Sequence, residues 1–458
     1  MKKILLNILL IVVLASCQFK TDEWVDFTDI EAAKGLSFKV ISQRETDLSK
    51  GFPADCYLPD GMTVTEASKS GTSQVRMPVS LSELMSDESE SSDPVMQRTS
   101  TVSIAGVMQE LLKYGNQDRV IEVAGTYPSI DNDFDEVTLS GKVILPKNGR
   151  PKRMILVSHY TIGSNAEAPS NCFSIEGVLV KLGYGLIIPD YLGYGITVDR
   201  VHPYLVMQTT ALNVISMYLA VKPWLKAIGR EPLNDDIYLM GYSQGGATTM
   251  EVLYYLENVF NDPDDEDYYV KVHRVFAGGG PYDVKATFER FVTTDTASYP
   301  VAVPLVLQGM IQGNNLKVKM TDLMQDWIYN KLDPWVNSKI YTTGQINKLI
   351  GTDITHEMLT KEAMDQTSAN VSELYKAMTE NSIIAYNWTP KASVYMLHSM
   401  DDETVPFSNA SNAKAKWRDA NITFNFGHYG THVATFMRFV YSVQSLLQEE
   451  EKELEKYM

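Results

Sequence analysis

The hydrophobic positions of this chain follow two contrasting patterns in its first half. Residues 120–123 and 137–145 are rich in β-branched side chains and roughly alternate between apolar and polar. Such alternation is typical of antiparallel strands. Residues 154–158 and 185–189 are instead almost continuously apolar, as expected for strands that are covered on both faces. The pattern therefore predicts antiparallel strands followed by the central strands of a larger sheet.

Strand-like and helical segments then alternate along most of the remaining chain. Helices are predicted at 175–182, at 204–228 with a break near Pro223, and at 432–452, and further strands at 237–240, 272–277 and 393–397. Alternation of this kind predicts an α/β fold, in which helices cover both faces of a mostly parallel sheet.

One interval, residues 285–388, breaks this alternation. It is largely helical in pattern, for example at 316–332 and 360–380, where a minimal sheet would need a single helix. Open α/β sheets bind ligands at the carboxyl ends of their strands. We therefore expect the extra helices to form a cap over that edge. The apolar side chains of residues 301–307 either line an acyl or aromatic substrate pocket or only pack the cap onto the core.

The segment that carries chemistry is Gly241-Tyr-Ser-Gln-Gly245, between an apolar run and a helical pattern. Strand, Gly-x-Ser-x-Gly and helix in this order predict a nucleophile elbow. Glycines on either side let strand and helix approach closely and hold Ser243 at the end of the sheet. The N-terminus of the following helix directs free N–H groups and the positive end of its dipole to the same place, which suits a developing oxyanion.

An acid and a histidine follow the serine. The strand at 393–397 ends in a loop with Asp401 and Asp402, and the loop before the last helix contains His428 and His432. We assign His432 as the base, because it lies where the loop becomes the helix. We assign Asp402 as the acid, because His398-x-x-x-Asp402-x-x-Val-Pro406 resembles the acid loop of many α/β-hydrolases. Asp401 and His428 remain as alternatives. A carboxylate at this point fixes the imidazole tautomer and stabilises the imidazolium.

The order Ser243, Asp402, His432 resembles that of the α/β-hydrolases, and residues 120–450 resemble their secretory lipases in particular. The similar segments are residues 139–146, Ser158-His159, Gly163, residues 168–170, residues 189–195 and residues 241–246. This resemblance implies an α/β-hydrolase fold with an inserted helical cap. It also implies an ester hydrolase, a carboxylesterase or lipase, that forms an acyl-enzyme and needs no cofactor or metal.

An oxyanion hole and a substrate pocket are expected beside the nucleophile. The backbone N–H of Gln244 supplies one donor, and a second comes from Tyr160 or Thr161. Tyr160 stands where many hydrolases have a glycine, which departs from the family pattern. Asp190 and Tyr191 follow a strand and are expected to shape the pocket, or else to form a loop packed for structure.

The amino terminus is typical of an export signal. Two lysines precede an apolar run at 4–14, which is too short to span a bilayer as a helix. Leu14-Ala-Ser-Cys17 resembles the lipobox of bacterial lipoproteins, which implies that Cys17 is lipidated and tethers the protein to a membrane. A plain secretory signal is the alternative. Gln18, which is not aspartate, favours the outer membrane by analogy with lipoprotein sorting.

Composition and charge exclude some functions. A formal charge of −17 argues against binding to nucleic acid, which needs a basic face. Cys56 and Cys172 either pair or remain free, and neither belongs to a cluster with the spacing of a metal site. Residues 63–101, rich in Ser, Thr, Glu and Asp, predict a flexible, solvated loop.

These observations divide the chain into four parts. They are a signal peptide at 1–16, an accessory region at 17–118, a core at 119–284 and 389–458, and a cap at 285–388. Two other functions stay open besides the ester hydrolase: a prolyl-oligopeptidase-like peptidase, although no propeller precedes the core, and a non-catalytic surface lipoprotein with a hydrolase fold. The sequence does not indicate an oligomeric state.

Overall fold

The computed structural model describes residues 26–27, 30–70, 74–78, 80–90, 100–265 and 268–457. The strands are β1 (Lys39–Asp47), β2 (Gln74–Met77), β3 (Ser100–Ser103), β4 (Arg119–Ile130), β5 (Glu136–Pro146), β6 (Met154–Ser158), β7 (Gly185–Pro189), β8 (Ile237–Tyr242), β9 (Val272–Gly278), β10 (Ser393–Ser399) and β11 (Ile422–Gly427). The longer helices are α3 (Ile104–Lys113), α4 (Met207–Ala227), α5 (Gln244–Asn258), α6 (Val284–Thr294), α7 (Ala302–Gly313), α10 (Thr343–Ile350), α13 (Ala369–Glu380), α14 (Ser408–Lys416) and α15 (His432–Tyr457). Shorter ones are α1 (Val64–Ser70), α2 (Leu81–Leu84), α8 (Met320–Leu323), α9 (Asp326–Tyr329), α11 (Thr355–Met358) and α12 (Lys361–Met364).

A nine-stranded sheet forms the centre of the molecule, in the order β1-β4-β5-β7-β6-β8-β9-β10-β11. The strands from β1 to β7 in this order pair antiparallel, and those from β7 to β11 pair parallel. The predicted α/β class with a mostly parallel sheet is thereby confirmed. Strand β1, at the sheet edge, was not predicted from the sequence.

The continuous apolar runs of the central strands divide between two hydrophobic cores, because successive side chains of a strand point to opposite faces. Leu156 belongs to the core that contains α4 and α5, whereas Ile155 and Val157 belong to the core that contains α15. All residues of β6, β7 and β8 are buried. Every apolar side chain of such a run therefore packs into one of the two cores.

Helix α4 passes without interruption through Pro223, where we predicted a break. A proline inside a helix removes one hydrogen bond and typically costs about 3 kcal/mol. The neighbouring Val221, Trp224 and Leu225 are buried against the core. Their burial offsets the lost bond, so packing overrides the local preference.

Helices α6 to α13 lie between β9 and β10, where the sequence predicted an insertion. The prediction of one continuous helical segment at 316–332 is wrong, since α8 and α9 are two separate helices within that range. Met324, between them, is extended and forms an isolated bridge with Leu359. That pairing with a distant segment interrupts the helix, which a local pattern cannot reveal.

The flexible loop predicted at residues 63–101 is wrong for the described part of that range. It contains α1, β2, α2 and the start of β3, and the side chains of Val75, Met77 and Leu84 are buried. The buried Arg438 of α15 donates to Arg76 O at 2.7 Å and pairs with Glu83 at 3.3 Å. A few apolar residues within a polar composition thus dock this segment on the last helix.

The expectations about the export signal and about the cysteines have different outcomes. The signal peptide and Cys17 lie outside the described residues. Cys56 and Cys172 are both buried free thiols, and burial raises the pKa of each. Within the described ranges, no helix has the length and apolar character needed to cross a bilayer.

Candidate active site

The turn between β8 and α5 holds Ser243 in a strained conformation. Its φ of 57° and ψ of −127° are unusual for a residue with a side chain. A Cβ on Gly245 would overlap Ser158 O, and one on Gly241 would overlap Gly245 O. The glycines therefore permit the close approach predicted from the sequence, and Ser243 N donates to Gly278 O at 2.9 Å.

Asp402 and His432 meet beside this turn. Asp402 follows β10 and His432 begins α15, and His432 Nδ1 lies 2.6 Å from Asp402 Oδ2. The other carboxylate oxygen accepts hydrogen bonds from the backbone N–H groups of Thr404 and Val405, at 2.9 and 2.8 Å. An ionised carboxylate only accepts, so Nδ1 carries a proton and Nε2 is left as a base.

The electrostatics of the pair keep the carboxyl ionised. Burial by itself would raise the pKa of Asp402, but the charge and hydrogen bond of His432 outweigh it and the pKa is lowered. For His432, burial would lower the pKa, while the charge and hydrogen bond of Asp402 and the charge of Glu403 raise it above 6.5. The imidazolium that forms when this group takes a proton is therefore stabilised.

Ser243 and His432 line one narrow cavity of about 30 Å³. The other lining residues come from the loops of the sheet, from α6 and α7 and from the amino-terminal region: Pro59, Thr161, Tyr204, Leu205, Pro281, Thr287, Phe291, Tyr299, Ala302, Val306, Thr404 and Val405. His432 Nε2 is buried and has no hydrogen-bond partner. A buried nitrogen without a partner in a site of this kind is available to accept a proton from a neighbouring hydroxyl.

The alternative acid and base pair with each other elsewhere. His428 Nδ1 lies 2.7 Å from Asp401 Oδ1, and the two side chains are 63% and 45% exposed. Neither residue lines the cavity. The structure therefore brings Asp402 and His432, and not Asp401 and His428, to the side of Ser243.

The predicted oxyanion donors lie in different surroundings. Gln244 is the first residue of α5, so its backbone N–H has no acceptor within the helix. Its side chain lies 2.7 Å from His202 Nε2. The ring of Tyr160 is in the core, with Oη donating to Tyr57 O at 2.8 Å. Thr161, the alternative, lines the cavity.

Asp190 and Tyr191, which we expected to shape the pocket, do not line this cavity. Asp190 is fully buried and accepts hydrogen bonds from Ser140 Oγ at 2.5 Å and Ser170 N at 2.8 Å. Tyr191 is also fully buried and stacks on His159 at 3.8 Å. The alternative, a loop packed for structure, describes both residues.

Several lining residues were not predicted. Tyr204 donates to or accepts from Thr161 Oγ1 at 2.8 Å, and Leu205 has a φ of 59°. In the sequence both looked like the start of a helix, which begins only at Met207. Pro59 belongs to the accessory region, for which the sequence suggested no role at the site. In the part of the chain that the structure describes, no group of three or more metal-ligating side chains is suitably placed for an ion.

Comparison with known proteins agrees with the fold. The secretory lipase family model matches residues 167–439, more than half of the sequence, and the chain belongs to that family. The pattern of a prokaryotic membrane lipoprotein lipid attachment site matches residues 1–18. The protein is therefore an ester-hydrolysing enzyme and an exported lipoprotein. No curated protein matches the sequence significantly.

Solved structures show the same α/β-hydrolase fold at low sequence identity. A proposed hydrolase from Legionella pneumophila is 20% identical, with a TM-score of 0.64 over 76% of this chain and 95% of that one. The rice cell wall degrading esterase LipA from Xanthomonas oryzae is 19% identical, with a TM-score of 0.59 over 74% and 92%. Candida antarctica lipase A is 15% identical, with a TM-score of 0.50 over 68% and 73%.

Proposed function

We propose that Ser243, Asp402 and His432 form a catalytic triad that cleaves carboxylic esters through an acyl-enzyme. The observation that carries this proposal is the buried hydrogen bond between His432 and Asp402 beside the cavity that His432 shares with Ser243. The peptidase and the non-catalytic lipoprotein have no comparable observation in their favour.

In this mechanism His432 Nε2 takes the proton of Ser243 as its Oγ attacks the acyl carbonyl, and then donates that proton to the departing alcohol. A water molecule, activated in the same way, releases the acid and restores the serine. Asp402 holds the Nδ1–H tautomer throughout. No step in this sequence needs a cofactor or a metal.

The backbone N–H groups of Gln244 and Thr161 are proposed to hold the oxyanion. The position of Gln244 at the start of α5 and that of Thr161 in the cavity lining support this choice over Tyr160. One such donor contributes on the order of 3 kcal/mol to transition-state stabilisation.

The substrate is proposed to carry an apolar acyl group. Leu205, Phe291 and Val306 present aliphatic or aromatic surface to the cavity beside Ser243. Phe291 and Val306 belong to α6 and α7, which supports our division into a core (119–284 and 389–458) and a cap (285–388). The accessory region, 17–118, completes that division.

The enzyme is proposed to be held at the outer membrane through acyl chains on Cys17. The lipid attachment pattern at residues 1–18 supports the tether, and Gln18 supports the choice of membrane. Membrane fractionation of the full chain and of a Cys17→Ala variant tests both points. Recovery of the wild-type enzyme in the inner-membrane fraction would contradict the proposed location.

Two measurements on the chain without residues 1–17 test the proposed triad. A fluorophosphonate should label Ser243, and p-nitrophenyl esters should be hydrolysed. Ser243→Ala should abolish both signals while its thermal unfolding stays close to that of the wild type. A folded wild-type protein that neither reacts nor turns over would reject the triad, and faster cleavage of amides than of matched esters would instead favour a peptidase.

A further inference from the structure

A loop of the accessory region reaches the candidate active site. Residues 56–64, which we name the 56–64 loop, include Pro59, a buried residue that lines the cavity with Ser243 and His432. The secretory lipase family model begins only at residue 167. The match to the family model therefore does not include this loop, although the loop forms part of the cavity wall.

The backbone of the 56–64 loop closes on itself. Leu58 N donates to Met62 O at 2.9 Å, and Val64 N donates to Cys56 O at 2.9 Å. Gly61, at a φ of 74°, occupies the left-handed region that favours glycine. These bonds give the turn a defined shape, and the ring of Pro59 adds a fixed φ. Pro59 is thus presented to the cavity as a stiff surface.

One side of the loop is anchored to the hydrolase core. Tyr160 Oη donates to Tyr57 O at 2.8 Å, and Cys56 forms an isolated parallel bridge with Phe173. The side chains of Cys56 and Leu58 are fully buried. Backbone pairing and burial together attach this side of the loop to the core.

The other side is anchored to the helical insertion. Tyr299 Oη donates to Pro59 O at 3.2 Å, and Gly344 N donates to Asp60 O at 2.9 Å. Tyr299 itself lines the cavity. The loop is therefore clamped between the core and the helices that cover the active site, and Pro59 lies at the point where the two meet.

We propose that the 56–64 loop is a specificity element, in which Pro59 limits the length of the acyl chain that the enzyme accepts. This inference rests on the proposed esterase function. The cavity of about 30 Å³ has room for only one or two water-sized groups. A short acyl group therefore requires much less displacement of Pro59, or of the helices bonded to its loop, than a long acyl chain does.

The test compares kcat/KM for p-nitrophenyl acetate and octanoate in the chain without residues 1–17. The wild type should prefer acetate. Pro59→Ala enlarges the cavity and should raise the octanoate-to-acetate ratio by about tenfold, the lower end of the effect of one methylene in a pocket. Pro59→Leu fills it and should lower the ratio. Pro53→Ala, three residues before the loop and outside the cavity lining, is the matched control and should leave the ratio unchanged.

If the substitutions only loosened the site, the octanoate-to-acetate ratio would change in the same direction in both Pro59 variants. That result would overturn the inference. An unchanged ratio in a folded Pro59→Ala protein would also overturn it. If thermal unfolding shows that Pro59→Leu does not fold, the ratio measured for Pro59→Ala is sufficient to test the inference. Labelling of Ser243 by a fluorophosphonate is read in parallel. A wild type that is unlabelled and inactive rejects the proposed function, whereas a labelled, active wild type with an unmoved ratio rejects only the role of Pro59.

Discussion

His432 Nδ1 lies 2.6 Å from Asp402 Oδ2 in a buried site, while the adjacent acid, Asp401, pairs with His428 on the surface at 2.7 Å. Two aspartate–histidine pairs thus join the same two loops. Of these four residues, only His432, a member of the buried pair, lines the cavity with Ser243. The exposed pair provides an internal control for every experiment on the buried one.

Asp402→Asn should reduce kcat by about 10⁴-fold, because an amide in place of the carboxylate no longer fixes the Nδ1–H tautomer of His432. Asp401→Asn should change kcat by less than about twofold, since exposed ion pairs contribute little. Steady-state kinetics on both folded variants checks the contrast. Equal losses in the two variants would contradict our assignment of the acid.

The rate should depend on the ionisation of His432, which acts as a base only when it is neutral. Since the pKa of His432 is raised above its usual 6.5, the acid limb of the kcat/KM profile should lie above pH 6.5. Glu403 contributes to this shift through its charge, and it also accepts a hydrogen bond from His432 N at 3.0 Å.

Glu403→Gln keeps an acceptor for that N–H but removes the charge, so the acid limb should move to lower pH. The pH profile of kcat/KM measures the shift, with Glu362→Gln on α12 as a charge-matched control. An acid limb that stays in place in Glu403→Gln would exclude an electrostatic contribution of this carboxylate to His432.

Gly245→Ala should severely impair folding, because the new Cβ would overlap the backbone oxygen of Ser158. The end of β6 packs here against the start of α5, and its backbone cannot give way as a flexible side chain would. Overpacking of this kind typically costs 1–3 kcal/mol or more.

Gly149→Ala is the comparison, because Gly149 has a φ of 76° but nothing within 4 Å of the added Cβ. It should cost only the backbone strain, about 1–2 kcal/mol. Urea unfolding ranks the two variants. A Gly245→Ala protein as stable as Gly149→Ala would show that the turn adjusts more easily than its geometry indicates.

The buried Glu251 should make the fold less stable as the pH rises. Burial raises the pKa of Glu251 to about 8, so between its unfolded value near 4.5 and pH 8 the native state holds a proton that the unfolded state has lost. Unfolding then releases a proton, and stability falls with increasing pH across this window.

Glu251→Gln mimics the neutral acid and can still accept the hydrogen bond from Tyr386 Oη, which lies at 3.0 Å from the carboxyl. The free energy of unfolding of the variant, relative to that of the wild type, should be higher at pH 8 than at pH 4.5 by roughly 2–4 kcal/mol. Chemical denaturation at both pH values measures the difference. The same pH dependence in variant and wild type would assign it to other groups.

The alternation of segments and the chemistry of the elbow could be predicted from the sequence alone. Apolar runs such as 154–158 indicate burial on both faces, and Gly-x-Ser-x-Gly indicates a tight turn. Both features depend only on residues that are neighbours in the chain. The class of fold, the position of Ser243 and the order in which an acid and a histidine follow it are therefore local information.

Tertiary structure alone decided which side chains meet. Asp401 and Asp402 are neighbours of the same type, and only the packing of β10 against α15 buries one and exposes the other. Thr161 and Tyr160 likewise differ in the direction they face. Pro59 lines the same cavity as Ser243, more than 180 residues further along the chain, because hydrogen bonds to Tyr160 and Tyr299 hold its loop in place. Contacts between segments so far apart depend on how whole elements pack, and no local pattern records them.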